Sequence, residues 1–286
     1  MKANKMKRSV YQRVVFAVVL VIFCIYSMTL VYPYVFAFNA ALKESGRVFT
    51  RDMVSLAKPA RWANFVDLFG EFVVNDSDYF KMTWNSMWYS FGGTMVKLIT
   101  VTLSSYVVCK YRFRGRNLIY NTLIFTMVLP IVGSGPAMYK LLTDLNFVES
   151  PMMIFTFAGG LMDLMLFAYF KSIPWEYAEA AFIDGAGHFK VFYKIMLPQA
   201  MPAISVIFIM TVVACWNDYS APILYMNEKY PTLASGLYSF HERIRYSHKH
   251  PIFFAGALFA IIPPLAIFVA FQNSIMDKVF LGGLKG

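Results

Sequence analysis

Long stretches without a charged residue are the feature that most constrains this chain. Four of them contain no Lys, Arg, Asp or Glu and cover residues 14–42, 117–139, 195–217 and 250–276. Each is longer than the roughly 20 apolar residues that a membrane-spanning helix needs. Only 15% of the 286 residues are charged, whereas an average soluble domain has about 25%. The pattern predicts an all-α membrane protein.

Six membrane spans are predicted from these stretches and from two less regular apolar segments. They cover 14–38, 83–108, 117–139, 151–170, 202–225 and 252–275. Apolar segments recur to the C-terminus, whereas a cleaved signal peptide would be a single N-terminal event, so we interpret the first segment as a retained helix. The predicted organisation is a short N-terminus (1–13), one six-helix domain (14–275) and a tail (276–286).

The basic residues predict which connections face the cytoplasm. Two short flanks carry Lys and Arg but no acid, namely residues 1–13 and the connection 109–116. Short cytoplasmic flanks are enriched in Lys and Arg. Six spans then place both termini and the connection 171–201 in the cytoplasm, and 39–81 and 226–251 outside. The net charge of +10 lies largely beside apolar helices, so we do not expect nucleic acid as a partner.

The cytoplasmic connection 171–201 has the pattern of an ordered structure and not of a loose loop. Ser172 is predicted to cap a helix, and Pro174 suits its first turn. Glu176 and Glu179 favour the positive N-terminal end of such a helix. The segment therefore predicts a short helix directly after the fourth span.

A glycine-rich turn and a second helix are predicted to follow. Gly185 and Gly187 break the first helix, because glycine accepts a positive φ at a helix end. An amphipathic run over 189–196 is predicted to form the second helix and to stop at Leu197-Pro198. The result is an elbow, helix–turn–helix, with small residues at its crest where another protein surface can approach closely.

The elbow carries a specific resemblance. It matches the EAA signature of ABC-importer permease subunits at every fixed position and spacing, at Glu179, Ala180, Ala181, Gly185, Ile195, Leu197 and Pro198. The extended form, with Ile183, Asp184, Ala186 and Pro202, is similar to the carbohydrate-importing subfamily, whose type is the smaller permease of the maltose transporter. Further matches lie at Asn85-Ser86, 111–116, Leu129-Pro130, Trp216-Asn217 and 282–286.

The resemblance implies a division of labour in a bacterial plasma membrane. Two permease subunits, expected to be a heterodimer, would form the pathway, two ATPase subunits would dock below, and an extracytoplasmic binding protein would deliver a sugar or oligosaccharide. Within the elbow, Glu179 would pair with a groove on the ATPase, Gly185 would give the turn, and Leu197-Pro198 would transmit force. Ala180, Ala181, Asp184 and Ile195 complete the implied coupling set. No cofactor is implied.

Ionisable groups at predicted membrane depth are candidates for the solute pathway. Lys97, Asp163 and Asp218 lie within spans, where ionisable residues are costly and often functional. Asp218 follows Trp216 and Asn217, and such a set could bind a sugar through hydrogen bonds and ring stacking. The alternatives are paired structural charges or side chains that reach the membrane surface.

No catalytic or metal site is predicted. The chain lacks the Gly-X-X-X-X-Gly-Lys-Ser/Thr phosphate loop, a His-Glu-X-X-His pattern and a Gly-X-Ser-X-Gly turn. It is therefore not expected to hydrolyse ATP or to act as an enzyme. Two other functions stay open at this point: an ABC-importer permease for another polar solute, such as a sugar phosphate or polyamine, and a six-helix secondary transporter that acts alone.

Overall fold

The structure, a computed structural model, describes residues 10–44, 52–128, 133–156 and 161–282, and the long elements in these ranges are all helices. We number the α-helices in chain order. They are α1 (Val10–Ala41), α2 (Asn64–Glu71), α3 (Tyr79–Lys110), α4 (Arg116–Val128), α5 (Gly135–Asp144), α6 (Leu161–Ser172), α7 (Glu176–Ile183), α8 (His188–Asn217), α9 (Ser220–Tyr225), α10 (Leu233–Ser247) and α11 (His250–Gly282). A 3-10 helix, Pro151–Thr156, precedes α6.

Four of the described helices are long and apolar enough to cross a membrane. These segments are Tyr11–Ala41, Tyr79–Lys110, His188–Asn217 and His250–Phe271. They contain the first, second and most of the fifth and sixth predicted spans. The α11 helix continues through Pro263 and Pro264. The described residues therefore confirm an all-helical fold with four helices that could cross a membrane.

The third and fourth predicted spans are less regular than the sequence suggested. A single helix over 117–139 is wrong, because α4 ends at Val128 and α5 begins only at Gly135. Gly133 lies between them with a φ of +85°, which no α-helical residue adopts. In the fourth, the described residues begin with a 3-10 helix, Pro151–Thr156, and end with α6. Both predicted spans contain residues outside the described ranges, including Leu129-Pro130 in the third and Gly159-Gly160 in the fourth. The number of six spans therefore stays a prediction.

The chain divides into two compact units, and the first comprises residues up to 72 together with 241–259. Its polar anchor is Asn64, which is almost fully buried and donates to the carbonyl oxygens of Ala41 and Lys43 at 2.8 and 2.7 Å. Packing is tight at Gly256, because a Cβ there would lie 3.1 Å from Leu68 Cδ1. This unit thus fixes α2 against the end of α1 and the start of α11.

The second unit comprises residues 73–240 and 260–286. Its largest core lies among α3, α6, α7 and α8, with fully buried Leu166, Phe170 and Met196. Gly92 of α3 faces the 3-10 helix, where a Cβ would lie 3.5 Å from Ile154 Cγ2. Small residues allow such close packing between membrane helices. The same core continues directly into the 171–201 connection, where the candidate site lies.

The connection 226–251, which the sequence analysis only placed outside the membrane, contains the helix α10. The helix α10 starts after a reciprocal cap, in which the Thr232 N–H donates to Ser235 Oγ at 2.9 Å and the Ser235 N–H donates to Thr232 Oγ1 at 3.3 Å. Such caps satisfy amide groups that have no partner within the helix. Buried Leu233, Phe240 and Ile244 recur at helical spacing along α10, but the helix is polar on average, and a search for apolar spans therefore did not reveal it.

Candidate functional site

The first elbow helix, α7, buries one face and exposes the other. Ala178 is fully buried and Ala181 nearly so, and both pack in the core that also contains Phe170 and Ile173. Glu179 lies on the exposed side, as does its neighbour Ala180. The helix packs mainly on the start of α8, which contributes Val191 and Met196 to the same core. Two alanines of the motif therefore have different roles, one in packing and one at the surface.

The predicted cap at Ser172 is wrong. Ser172 is the last residue of α6, and its hydroxyl donates to the Tyr169 carbonyl at 2.7 Å. The elbow helix begins four residues later, at Glu176, after Pro174. The helix runs to Ser172, beyond the predicted end at 170, and Ile173 directly after it is still buried in the core. The acidic first turn of α7, which contains Glu176 and Glu179, is as expected.

The elbow turns at Gly185 with the geometry of a Schellman motif. Gly185 has a φ of +79°, its N–H donates to the Phe182 carbonyl at 3.0 Å, and the Ala186 N–H donates to the Ala181 carbonyl at 2.9 Å. This pair of bonds ends a helix and favours glycine at the left-handed position. Asp184 precedes the turn and is exposed. The predicted glycine turn is present.

Aromatic contacts hold the start of α8 against the end of α3. Tyr111 Oη and His188 Nδ1 are 3.0 Å apart and form a hydrogen bond. The ring of His188 also packs on Phe182 at 4.9 Å, and Tyr106 packs on Phe192 at 4.8 Å between centroids. His188 and Phe192 of α8 thus contact the end of α3, and Phe182 of α7 packs on the same histidine.

Three large apolar or aromatic side chains are exposed on the elbow, among charged residues such as Glu179 and Lys190. Ile183 is 87% exposed and Phe189 is 80% exposed. Tyr193 lies one turn after Phe189, and the two rings are parallel with centroids 6.4 Å apart. Exposed apolar groups that cluster on an otherwise ordered segment are typical of protein contacts. We call these three residues, Ile183, Phe189 and Tyr193, the elbow knob.

The predicted stop at Leu197-Pro198 is wrong, because the second elbow helix continues into the membrane as α8. A π-helical turn, Phe192–Met196, precedes Leu197, whose N–H donates to the Phe192 carbonyl. Pro198 has no N–H to donate, and it lies just after this wider turn. The Gln199 side chain donates to the Ile195 carbonyl at 3.2 Å. Ile195 and Leu197 are half-buried, and Pro198 is exposed.

The candidate pathway residues lie in different environments. Trp216 is 4% exposed, and its Nε1 donates to the Ala260 carbonyl at 3.1 Å, so its ring packs inside the protein. Asn217 is exposed and bonds within its own helix. Asp218 ends α8 and accepts from the Ser220 N–H at 2.9 Å, so the predicted span to residue 225 ends early.

Lys97 is half-buried on α3, and Lys97 and Asp218 both interact electrostatically with the buried thiol of Cys215. Asp163, in contrast, is 5% exposed in the first turn of α6, where its carbonyl accepts from Ser105 Oγ at 3.0 Å.

Sequence reasoning missed a set of polar anchors at the opposite end of the second unit. Buried Asn85 donates to the Pro231 carbonyl at 3.0 Å, and buried Ser86 accepts from the Leu233 N–H at 2.7 Å. Glu149 accepts from the N–H groups of Glu228 and Lys229 at 3.0 and 2.8 Å. The resemblance marked Asn85-Ser86, but it indicated no partner. Glu149 carries no sequence signal apart from its loop position.

Known proteins are similar to this chain both in sequence and in fold. The family model described as "Binding-protein-dependent transport system inner membrane component" matches residues 98–280. A chain in the crystal structure of a bacterial ABC transporter that imports the acidic polysaccharide alginate superposes with a TM-score of 0.77 at 22% identity, covering 94% of this chain and 99% of that one. That likeness establishes the fold.

Several characterised proteins are similar along most of their length. The diacetylchitobiose uptake system permease protein NgcG of Streptomyces coelicolor is 23% identical, covering 91% of this chain and 86% of that protein. The galactooligosaccharides transport system permease protein GanQ of Bacillus subtilis is 26% identical, with 98% and 99% covered. The sn-glycerol-3-phosphate transport system permease protein UgpE of Yersinia enterocolitica is 28% identical, with 90% and 91% covered.

Proposed function

Because this chain belongs to the family of binding-protein-dependent transport system inner membrane components, we propose that it is a permease subunit of an ABC importer that carries a sugar or oligosaccharide. The names of two similar proteins, NgcG and GanQ, specify oligosaccharides, and the similar solved chain comes from an alginate importer. The family does not favour a secondary transporter that acts alone. UgpE, named for sn-glycerol-3-phosphate, makes a phosphorylated small solute the competitor to test.

The elbow knob is the observation that carries the mechanism. Ala178 and Ala181 anchor the elbow in the core, whereas Ile183 and Phe189 project from it almost fully exposed. An apolar group in water gains about 25 cal/mol for each Å² that a partner covers. In this proposal the knob and Glu179 fit a groove on a cytoplasmic ATPase subunit, and Gly185 permits close approach at the crest.

Continuity of α8 explains how motion at the elbow would reach the membrane. The helix runs without a break from His188 at the elbow to Asn217, and Tyr111 and Tyr106 tie its start to α3. Movement of the ATPase subunits would therefore displace α3 and α8 together. The same helices carry Lys97, Asn217 and Asp218, which we propose to line or border the solute pathway.

The proposed assembly contains two permeases, two ATPases and an extracytoplasmic binding protein in a bacterial plasma membrane. The alginate importer has been solved with a periplasmic protein bound to alginate pentasaccharide, which supports a solute-binding protein as a partner. The elbow and the basic 109–116 connection lie at one end of the second unit, where Tyr111 meets His188. We propose that this end, like both termini, faces the cytoplasm.

Reconstitution tests the proposal. The chain would be co-expressed with the permease and ATPase encoded beside it, purified, and placed in proteoliposomes with the binding protein. We expect co-purification of all subunits, and ATP-dependent uptake of an oligosaccharide in preference to sn-glycerol-3-phosphate. Recovery of the chain with neither an ATPase nor a second permease would contradict the importer. Preferential uptake of the phosphorylated solute would retain the importer and refute the saccharide assignment.

A further inference from the structure

A basic cavity lies beside the elbow, apart from the elbow knob. It has a volume of about 770 Å³ and is found where α3 and α6 end and α4 begins. Four cationic side chains line it: Lys110, Arg112, Arg116 and Lys171. One acid, Glu176, interacts with Lys110. The balance of charge in the cavity is therefore strongly positive, which favours an anionic ligand.

Two of the four cations are already used by the fold. Arg116 donates to the carbonyl oxygens of Val108 and Cys109 at 2.7 and 3.2 Å, and these are orphan carbonyls at the end of a helix. Lys110 donates to the Ile173 carbonyl. These bonds fix the wall of the cavity and keep both charges at its edge.

Arg112 and Lys171 have no such structural role. Both side chains are exposed, and neither side chain forms a hydrogen bond or ion pair with any residue that the structure describes. They lie on different elements, the 111–115 connection and the last turn of α6, yet face the same cavity. Two uncommitted cations that converge in this way suit a phosphate group, whose oxygens accept several charge-assisted hydrogen bonds.

The remaining walls indicate that the phosphate belongs to a lipid. Tyr120 of α4 and Phe167 of α6 line the cavity, with ring centroids 4.7 Å apart. Trp175 lines it at the elbow side. One turn beyond Tyr120, the exposed apolar residues Ile124 and Phe125 continue along α4. A headgroup in the cavity would thus have apolar surface beside it for its acyl chains, as aromatic and apolar residues at a membrane boundary provide.

From this geometry we infer that the cavity binds the phosphate of an anionic phospholipid at the membrane surface beside the elbow. Basic pockets between membrane helices bind such headgroups on the cytoplasmic side. The site is distinct from the solute pathway and does not depend on which solute the chain carries. Because Trp175 directly precedes α7, a bound lipid would also hold the elbow at the membrane surface.

Native mass spectrometry of the purified full-length chain tests the inference. The chain would be incubated with phosphatidylglycerol or with phosphatidylcholine, and the lipid-bound fraction measured. We expect preferential retention of phosphatidylglycerol, and about fivefold weaker binding after Arg112→Gln or Lys171→Gln, since each cation near a membrane surface contributes a factor of that order. Arg114→Gln is the matched control, because Arg114 lies in the same connection but does not line the cavity.

Two further measurements distinguish a lipid site from misfolding of the variants and from a site for soluble phosphate. Arg112→Lys should restore retention of phosphatidylglycerol, which distinguishes loss of charge from misfolding. Millimolar inorganic phosphate or sn-glycerol-3-phosphate should leave the lipid bound. Equal retention of the two lipids, equal effects of Arg112→Gln and Arg114→Gln, or complete displacement by a soluble phosphate would each overturn the lipid site.

Discussion

The two ends of the second unit are stabilised by different kinds of contact. At the elbow end, alanines and aromatic rings pack in an apolar core, and a glycine turn at Gly185 projects an exposed apolar knob. At the opposite end, buried or loop-borne polar side chains bind distant backbone groups, as Ser86 does at Leu233 and Glu149 at Lys229. The first end is built to present a surface, whereas the second is built to hold loops in place.

This difference predicts different consequences of mutation. Changes at the opposite end should act through stability, since a buried polar group without its partner costs free energy. Changes on the elbow knob should leave stability nearly unaltered and act on assembly. Changes at the turn itself should affect both. The following predictions use that distinction, from the largest expected effect to the smallest.

Gly185→Asp is expected to abolish ATP-dependent uptake while the chain still inserts into the membrane. The substitution places a charged side chain at a φ of +79° on the crest of the elbow, where the proposed partner approaches closely. The measurement is uptake in proteoliposomes, with membrane insertion assessed by protein yield in the membrane fraction.

The backbone contribution can be isolated with a pair of alanine variants. Gly185→Ala forces an L residue into the left-handed region at a cost of about 1–2 kcal/mol, whereas Gly187 has a φ of −76° and open space for a Cβ. We expect Gly185→Ala to reduce uptake strongly and Gly187→Ala to have little effect. Equal effects of the two would show that the left-handed turn has no special role.

Ser86→Ala should lower the thermal unfolding midpoint in detergent. The Leu233 N–H would lose its acceptor in a buried place, which costs about 1–3 kcal/mol. Ser205→Ala is the control, because the hydroxyl of Ser205 is exposed and bonds only within its own helix. An unchanged midpoint for Ser86→Ala would mean that this anchor does not hold α10.

Phe189→Ala should weaken capture of the ATPase without lowering the unfolding midpoint. Phe189 is 80% exposed, so little packing is lost within the chain, whereas an aromatic anchor in an interface contributes at least about 1 kcal/mol. The measurement is the amount of ATPase that co-purifies. Val191→Ala, at a fully buried neighbour, should show the reverse pattern. A lower midpoint with normal capture for Phe189→Ala would contradict the distinction.

Glu149→Gln should have the smallest effect, a loss of stability of about 1 kcal/mol or less. The amide keeps one acceptor oxygen, so one of the bonds to the Glu228 and Lys229 N–H groups survives. Thermal unfolding measures the change, and uptake should remain close to that of the wild type. A loss of uptake with unchanged stability would assign Glu149 a role beyond holding the loops.

Local patterns in the sequence predicted the glycine turn at Gly185 but not the limits of the helices around it. The glycine turn follows from a residue type with a known backbone preference, and Gly185 adopts it. Proline 198 was misread, because the helix continues through a π-helical turn just before it, and such a turn leaves no local signal. Ser172 was also misinterpreted as the start of the elbow helix, because α6 continues to this residue and packs in the core.

Contacts between distant residues could not be predicted from the sequence. Asn85 and Pro231 are 146 residues apart, and nothing in either segment indicates the partner. The basic residues of 109–116 were interpreted only as a signal of orientation, yet Arg112 and Lys171 share a cavity that exists only after folding. Hydropathy likewise missed α10, since its start depends on two hydroxyl caps at Thr232 and Ser235.

Thiol protection at the elbow knob tests the central claim most directly. With Cys24, Cys109 and Cys215 replaced by alanine, Ile183→Cys introduces a thiol at a site that is 87% exposed in the chain alone. We predict rapid reaction with a maleimide in the isolated chain and strong protection in the purified assembly with its ATPase, while a thiol introduced by Glu228→Cys reacts equally in both. Equal reactivity of the Ile183→Cys thiol with and without the ATPase would contradict docking at the elbow.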